Sequence, residues 1–336
     1  MSTIYIVYYD YKNTKGNHAG MAYLAKYLDQ NIDEVRLIKN IPQEYKLGKY
    51  IAWGYAIFLG LYLALVLKKG DKVIFLEYLT KKLGHQVVTA KLLRFFGLKN
   101  KFYALVHYAG KHLLEVYGNS KNILTGLNPI DEIFVFGSSL KDFFESIGVH
   151  NKVVTTFHYV DTEFYCPKVL RKTVEKINVL SIGNLKRDFP ELKQIISQCS
   201  DLDFHICMGR KNIGHFFQGV KNVILYQYLS EIELLQLMQK CDVSISVLED
   251  TIGSNAITTA MAVGLVQVVS DVGSIRDYCT TDNSFFCKST NDFVMALNSL
   301  NHNKEVINKM SRNAMLNAHK FSKETFLSEF KNFIDV

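Results

Sequence analysis

The sequence predicts an α/β protein built from two doubly wound, Rossmann-like parallel-sheet domains, and three observations predict it. Short apolar runs alternate with helical patterns along the whole chain. The rhythm breaks once, at residues 161–176, where a proline and a charged run interrupt it, and then restarts. The 336 residues also suffice for two domains of about 150 each. Repeated strand-helix-strand units imply parallel sheets covered on both faces, because parallel strands need crossover connections.

In the first half, strands are expected near 4–8, 35–38, 72–76, 102–106, 133–136 and 153–156, with helices near 18–28, 50–67, 85–96 and 139–147. In the second, strands are expected near 178–182, 203–207, 222–225, 243–247, 266–269 and 284–287. Helices follow near 189–198, 230–240, 255–263 and 290–299, and two more, near 304–318 and 322–334, close the chain. The expected domains are 1–165 and 166–321, facing each other across a cleft at the carboxyl ends of their strands, where such sheets bind ligands.

Composition narrows the classes. With 48% hydrophobic residues, four prolines and twenty glycines, the chain is neither disordered nor collagenous. A net charge of +7 is too mild to point to nucleic acid, which is not expected as a partner. All six cysteines lie between residues 166 and 287 without a CxxC pair, which suits reduced thiols in a core better than a disulfide framework or a zinc site. The N-terminus MSTIYIVYYDYKNTKG lacks the layout of a signal peptide, so a cytoplasmic, unprocessed protein is expected.

Residues 50–67, YIAWGYAIFLGLYLALVL, run for 18 positions without a charge, the lower limit for a spanning helix. A span here would put the strands at 35–38 and 72–76 on opposite sides of a bilayer, although both belong to one sheet. Two readings stay open: a buried core helix, or a helix docked on an anionic membrane surface. The second draws on residues 45–101, which hold eleven Lys or Arg and only two acids, Asp71 and Glu77.

Several loops carry candidate chemistry. The stretch EDTIGSNAITTAMAVGL follows the apolar run VSISV and places Glu249, Asp250, Thr251, Gly253, Ser254 and Asn255 before a helix that contains Thr258 and Thr259. Free N–H groups and the positive dipole end at a helix start favour a phosphate, while Ser254 or Asn255 capping the helix is the plainer alternative. In SIGNLKRDFP, Gly183 lets a ligand approach the backbone near Asn184, and Lys186 or Arg187 offers a cation for a diphosphate, or else a solvated surface charge. Gly16, Asn17, His18 and Gly20 lie at the turn into the first helix without forming GxGxxG, which argues against a nicotinamide dehydrogenase. His107 ends the run FYALV, either aimed at the cleft or capping its own loop. Metalloprotease, P-loop and α/β-hydrolase motifs are absent.

In order, these pieces resemble a GT-B-fold glycosyltransferase, most closely the family 4 retaining glycosyltransferases. SSLKDFFESIGVHNKVVTTFHYVDTEFYCP is similar to the passage that leaves that family's N-terminal domain, and SIGNLKRDF to the loop that opens its nucleotide-binding domain. YLSEIELLQLMQKCDVSISV followed by TTAMAVGLVQVVSDVGSIRDYC resembles its donor-binding core. The sequence departs from the pattern at the family's two glutamates, eight positions apart, which fall on Thr251 and Thr259, with Glu249 and Asp250 as substitutes. The family's arginine after the first glycine is Asn184 here, and its lysine is matched by Lys186 or Arg187.

The resemblance implies an N-terminal acceptor domain, a C-terminal donor domain, and a final helix, 322–336, that packs back on the first. It implies a metal-independent hexosyltransferase without cofactor, whose donor substrate is a nucleotide-diphosphate sugar held by Gly16, Asn17 and the loops at 183–187 and 249–259. His107, Lys186 and Arg187 are the expected catalytic groups. The acceptor is expected to be a membrane-associated glycan or glycolipid of polysaccharide or glycoconjugate synthesis, with the protein cytoplasmic or peripheral on the inner face of the membrane. A nucleotide-sugar epimerase and a non-catalytic partner subunit of this fold are the alternatives.

Overall fold

The computed structural model describes residues 2–12, 16–41, 48–80, 84–167 and 176–335. They divide into two compact units, 1–157 with 327–336, and 158–326.

The first unit is built on a six-stranded parallel sheet: β1 (Ile4–Tyr9), β2 (Val35–Asn40), β3 (Lys72–Tyr78), β4 (Lys101–Val106), β5 (Glu132–Val135) and β6 (Lys152–Thr155), in the order β2-β1-β3-β4-β5-β6. Strand β1 pairs with both β2 and β3, Ile4 standing opposite Val35 on one side and Lys72 on the other. Covered on both faces, β1 buries all six of its side chains, which is why it reads as a continuous apolar run without alternation. The helices are α1 (Met21–Asn31), α2 (Gly48–Val66), α3 (His85–Phe95), α4 (Gly110–Tyr117), α5 (Ser120–Leu127) and α6 (Ser138–Ser146).

The second unit repeats the design with β7 (Asn178–Ile182), β8 (Asp203–Cys207), β9 (Val223–Tyr226), β10 (Val243–Ser246), β11 (Val266–Ser270) and β12 (Ser284–Cys287), in the order β12-β11-β10-β7-β8-β9. Its helices are α7 (Phe189–Gln198), α8 (Glu231–Met238), α9 (Asn255–Val263), α10 (Ile275–Tyr278), α11 (Thr290–His302) and α12 (Lys304–Ala318). Val179, Phe204, Ile245 and Val268 of the sheet form one core with Leu192 and Ile196 of α7 and with Phe293 and Leu297 of α11. Each such side chain, fully buried, contributes about 1.5–3 kcal/mol. Five cysteines are buried, Cys166 is exposed, and none is bridged.

In both sheets the strand order reverses once: between β1 and β3 in the first, and between β7 and β10 in the second. Ligands of open α/β sheets bind outside the carboxyl ends of the strands at such a reversal.

Four features depart from the sequence reading. Helix α1 starts at Met21 rather than near residue 18, because Gly20 holds φ at +95°. Helices α4 and α5 were not expected. Each has only eight residues, divided by Gly118 in a left-handed C-cap and Asn119 capping the Asn122 N–H, too short to show a helical period. Helix α10 is a single turn. The change of unit falls at 157/158, not 165/166, because residues 158–165 belong to the second unit's fabric. The His158 N–H donates to the Tyr278 hydroxyl, and Lys323 is buried between Asp161 and Glu163, 2.8 Å from each.

The final helix, α13 (Lys323–Phe333), is divided between the units. Phe321 stacks on Tyr278 and Phe326 meets Tyr159 in the second unit, whereas Phe330 and Phe333 pack on Phe134 in the first.

Candidate functional site

In the second unit, the loops after β7 and β10 leave at the reversal of strand order and are tied together. The Glu249 N–H donates to the Lys186 carbonyl (3.0 Å) and the Asp188 N–H to that of Val247 (3.1 Å), and Arg187 bridges Leu248. Gly183 has φ +94°, and a Cβ there would stand 3.2 Å from Arg187 Nε and 3.3 Å from Nη2. Glycine therefore serves twice, by accepting the left-handed backbone and by letting the guanidinium lie against it.

Arg187 Nη1 is buried without a hydrogen-bond partner, and burial lowers the group's pKa to about 10, so it stays charged at neutral pH. Asn184 donates its amide to the Met208 carbonyl, leaving its Oδ1 buried and unpartnered. Asn255, the first residue of α9, likewise has an unpartnered buried Oδ1. A donor and two acceptors left unsatisfied on adjoining loops are what a polar ligand would satisfy, since each orphaned group costs about 1–3 kcal/mol.

The β10–α9 loop is rigidly set. Thr251 Oγ1 accepts the Gly253 N–H (3.0 Å), Asp250 Oδ1 accepts that of Thr251 (2.8 Å), and the Thr251 carbonyl accepts that of Ser274 (2.8 Å). Gly253 has φ +84°, and a Cβ on it would lie 2.1 Å from the Tyr278 ring. These contacts refine the expected N–H cradle. The Gly253 N–H is already engaged, which leaves those of Ser254 and Asn255 at the helix start, and Ser254 makes no side-chain cap. Glu249 is exposed. The hydroxyls of Thr258 and Thr259 both donate to the Asn255 carbonyl, at 3.3 and 2.6 Å, so Thr259 serves its own helix. Lys186 takes φ +52°, a conformation that side chains other than glycine adopt rarely.

In the first unit, the reversal between β1 and β3 has a different lining. Glu77, near the end of β3, accepts the Tyr9 N–H through Oε2 (3.2 Å), and its own N–H donates to Gln86 Oε1 (3.3 Å). Burial raises the carboxyl's pKa from 4.5 to about 7, against a smaller opposing effect of the Tyr9 N–H. Sequence reasoning did not single out Glu77. The signal was a lone acid in VIFLEYL, counted only as one of two scarce negative charges.

His107 follows β4. Its Nε2 donates to the Leu76 carbonyl (2.6 Å), its ring lies 4.6 Å from that of Phe136, and burial lowers its pKa to about 4. It is a neutral imidazole whose Nε2 is committed to the neighbouring strand β3. Gly16 and Asn17 belong to this unit, in the β1–α1 loop, with Gly16 at φ +88° and open space where a Cβ would be. Among the described residues no cluster of three His, Cys, Asp or Glu side chains suits a metal ion.

Residues 174–303 match the family described as Glycosyl transferases group 1. No curated protein matches the chain. Among solved structures, sucrose-phosphate synthase from Thermosynechococcus elongatus is similar over 99% of this chain and 98% of its own, at 10% identity and a TM-score of 0.77. OtsA in its apo form is similar over 100% and 99%, at 11% identity and a TM-score of 0.77. Anabaena HepE, in complex with UDP and glucose, is similar over 100% of both chains, at 12% identity and a TM-score of 0.74. These likenesses show the GT-B fold that the sequence resembles.

Proposed function

We propose that this GT-B-fold chain, whose second unit carries a glycosyl transferases group 1 domain, moves a hexosyl group from a nucleotide-diphosphate sugar to a membrane-associated glycan or glycolipid. The observation that carries the proposal is the orphaned set Arg187 Nη1, Asn184 Oδ1 and Asn255 Oδ1 on the loops at the β7/β10 reversal. Arg187 is the cation placed to neutralise the departing diphosphate, with the N–H groups at the start of α9 assisting. Asn184 and Asn255 accept from the donor's hydroxyl or base N–H groups. The UDP in the HepE complex supports a uridine nucleotide as the first donor to try.

Transfer proceeds with retained anomeric configuration and without a bound metal, as in the family 4 enzymes that the sequence resembles. Gly16 and Asn17 offer backbone to the donor, and His107 acts from the end of β4, where its Nε2 is tied to the Leu76 carbonyl of β3. The protein works in the cytoplasm, at the inner face of the membrane, in polysaccharide or glycoconjugate synthesis.

A second reading has its own observation. With Thr251 and Thr259 where the resemblance places glutamates, and Thr259 bonded to its own helix, the chain is a non-catalytic partner that retains the donor pocket. Incubation with a panel of nucleotide sugars separates the readings. Slow release of nucleoside diphosphate is expected, and saturable binding without turnover would transfer the conclusion to the partner reading. A changed sugar with the diphosphate intact would indicate an epimerase.

A further inference from the structure

Helix α2 is inside out for a soluble protein. Its buried face is made mostly of small residues, Gly48, Ala52, Ala56 and Gly60, with Leu59 and Leu63. They let α3 approach closely: Thr89 Oγ1 donates to the Ala56 carbonyl (3.0 Å), and a Cβ on Gly60 would lie 2.7 Å from Leu92. The large side chains lie on the other face. Ile51, Phe58, Leu61 and Leu65 recur at spacings of seven, three and four, a helical stripe, and they are 61%, 62%, 44% and 87% exposed. Tyr50, Trp53 and Tyr62 flank the stripe, all exposed.

The contacts of Ala56 with Thr89 and Gly60 with Leu92 set the two helices parallel and in step. The exposed Phe95 and Phe96 at the end of α3 therefore lie level with the end of α2. An exposed apolar stripe of this kind exceeds the scattered exposed residues of an ordinary surface and marks a docking site.

The surrounding charge identifies the partner. Lys49, Lys68, Lys69, Lys91 and Lys99 are exposed on or beside the two helices. The two acids of residues 45–101 both face inward: Asp71 is buried and accepts the Thr3 and Lys68 N–H groups, and Glu77 accepts that of Tyr9. A two-fold contact with a second copy would set this lysine fringe against itself, whereas anionic headgroups complement it.

The helix does not cross the bilayer. It lies between β2 and β3, which both pair with β1 in one sheet. We propose that the exposed face of α2 and the end of α3 seat the first unit on an anionic lipid bilayer, the apolar stripe entering the headgroup boundary and the lysines binding the surface charge. The inference rests on the proposed membrane-associated acceptor and gives it a physical basis.

Trp53 is the sole tryptophan, so its fluorescence reports on the face directly. With vesicles of phosphatidylcholine and phosphatidylglycerol at low salt, the full chain is expected to float and its emission to shift to the blue. Neutral phosphatidylcholine should bind it far less, and high salt should weaken binding without abolishing it. Phe58→Glu with Leu65→Glu should reduce vesicle affinity at least tenfold, and Lys68→Glu with Lys69→Glu by about fivefold per charge removed. Because these positions are exposed, both variants should fold and retain donor hydrolysis in the absence of lipid. A wild-type chain that neither floats nor shifts its emission with anionic vesicles overturns the inference. So does sedimentation as a dimer that Phe58→Glu dissociates, which would assign the face to a second copy. Donor hydrolysis without flotation would refute the docking alone, and flotation without hydrolysis would refute the transferase reading alone.

Discussion

The two sheets present the same topological device, a reversal of strand order at their carboxyl ends, with opposite chemistry. At β7/β10 the loops each turn on one glycine at positive φ, Gly183 and Gly253, and they leave a guanidinium nitrogen and two amide oxygens without partners. At β1/β3 and the adjoining end of β4, Glu77 and His107 are engaged by backbone, and burial pushes both toward their neutral forms. The first arrangement leaves buried groups that a charged ligand with its own hydrogen-bonding groups would satisfy. The second is a site whose charge state changes near neutral pH. Fold alone therefore does not assign a role to either end, and the side chains at the reversal do.

The largest test of this contrast is Arg187→Ala. Removing one preorganised charge contact to a leaving group costs about 3 kcal/mol, so donor turnover should fall on the order of a hundredfold, while Lys186→Ala should change it little. Equal losses in the two variants would erase the distinction between the cation and the bend that carries it.

Gly253→Ala should destabilise the second unit by about 3 kcal/mol, because its Cβ would overlap the Tyr278 ring at a backbone angle of φ +84°. Urea unfolding measures it, and an unchanged midpoint would mean that the β10–α9 loop is not set as described.

Glu77→Gln sharpens the other end. With its pKa raised from 4.5 to about 7, the Glu77 carboxyl holds a proton between those values in the folded chain, where the unfolded chain has lost it. The folded state binds more protons in that window, so stability falls as the pH rises through it. Relative to Glu77→Gln, the wild type should lose on the order of 2 kcal/mol between pH 4.5 and pH 8, as read from denaturant midpoints. Parallel pH profiles would place the carboxyl in water.

The smallest expected effect is that of Lys186→Gly. Relief of the backbone at φ +52° should roughly offset the entropy that glycine adds to the unfolded chain, so stability should rise by no more than about 1 kcal/mol and turnover should stay within twofold.

The strands were legible in the sequence because burial on both faces turns them into apolar runs, as in β1, where all six side chains are covered. The parallel, doubly wound sheets followed from the repeated crossover pattern, whereas the strand order that places each reversal comes from the pairing itself. Helices α4 and α5 were not legible, since eight residues between Gly110 and Gly118, and eight more to Leu127, give too few turns for a period to show. At the candidate site the sequence supplied the loops but could not choose between adjacent cations. What separates the two cations is a property of the folded loop: Gly183 opens space for the Arg187 guanidinium, and Lys186 takes a positive φ. The inverted face of α2 was half legible: Ala52, Ala56 and Gly60 recur every four residues, yet only packing against α3 shows that this small-residue side is the inner one.

Binding of UDP by titration calorimetry to the wild type, Arg187→Ala and His107→Ala tests the central claim most directly. If the β7/β10 reversal holds the nucleotide diphosphate, Arg187→Ala should lose at least tenfold in affinity. His107→Ala should stay within a few fold of the wild type while its donor turnover falls more than tenfold. Undiminished binding by Arg187→Ala, or an equal loss of binding in His107→Ala, would contradict the account.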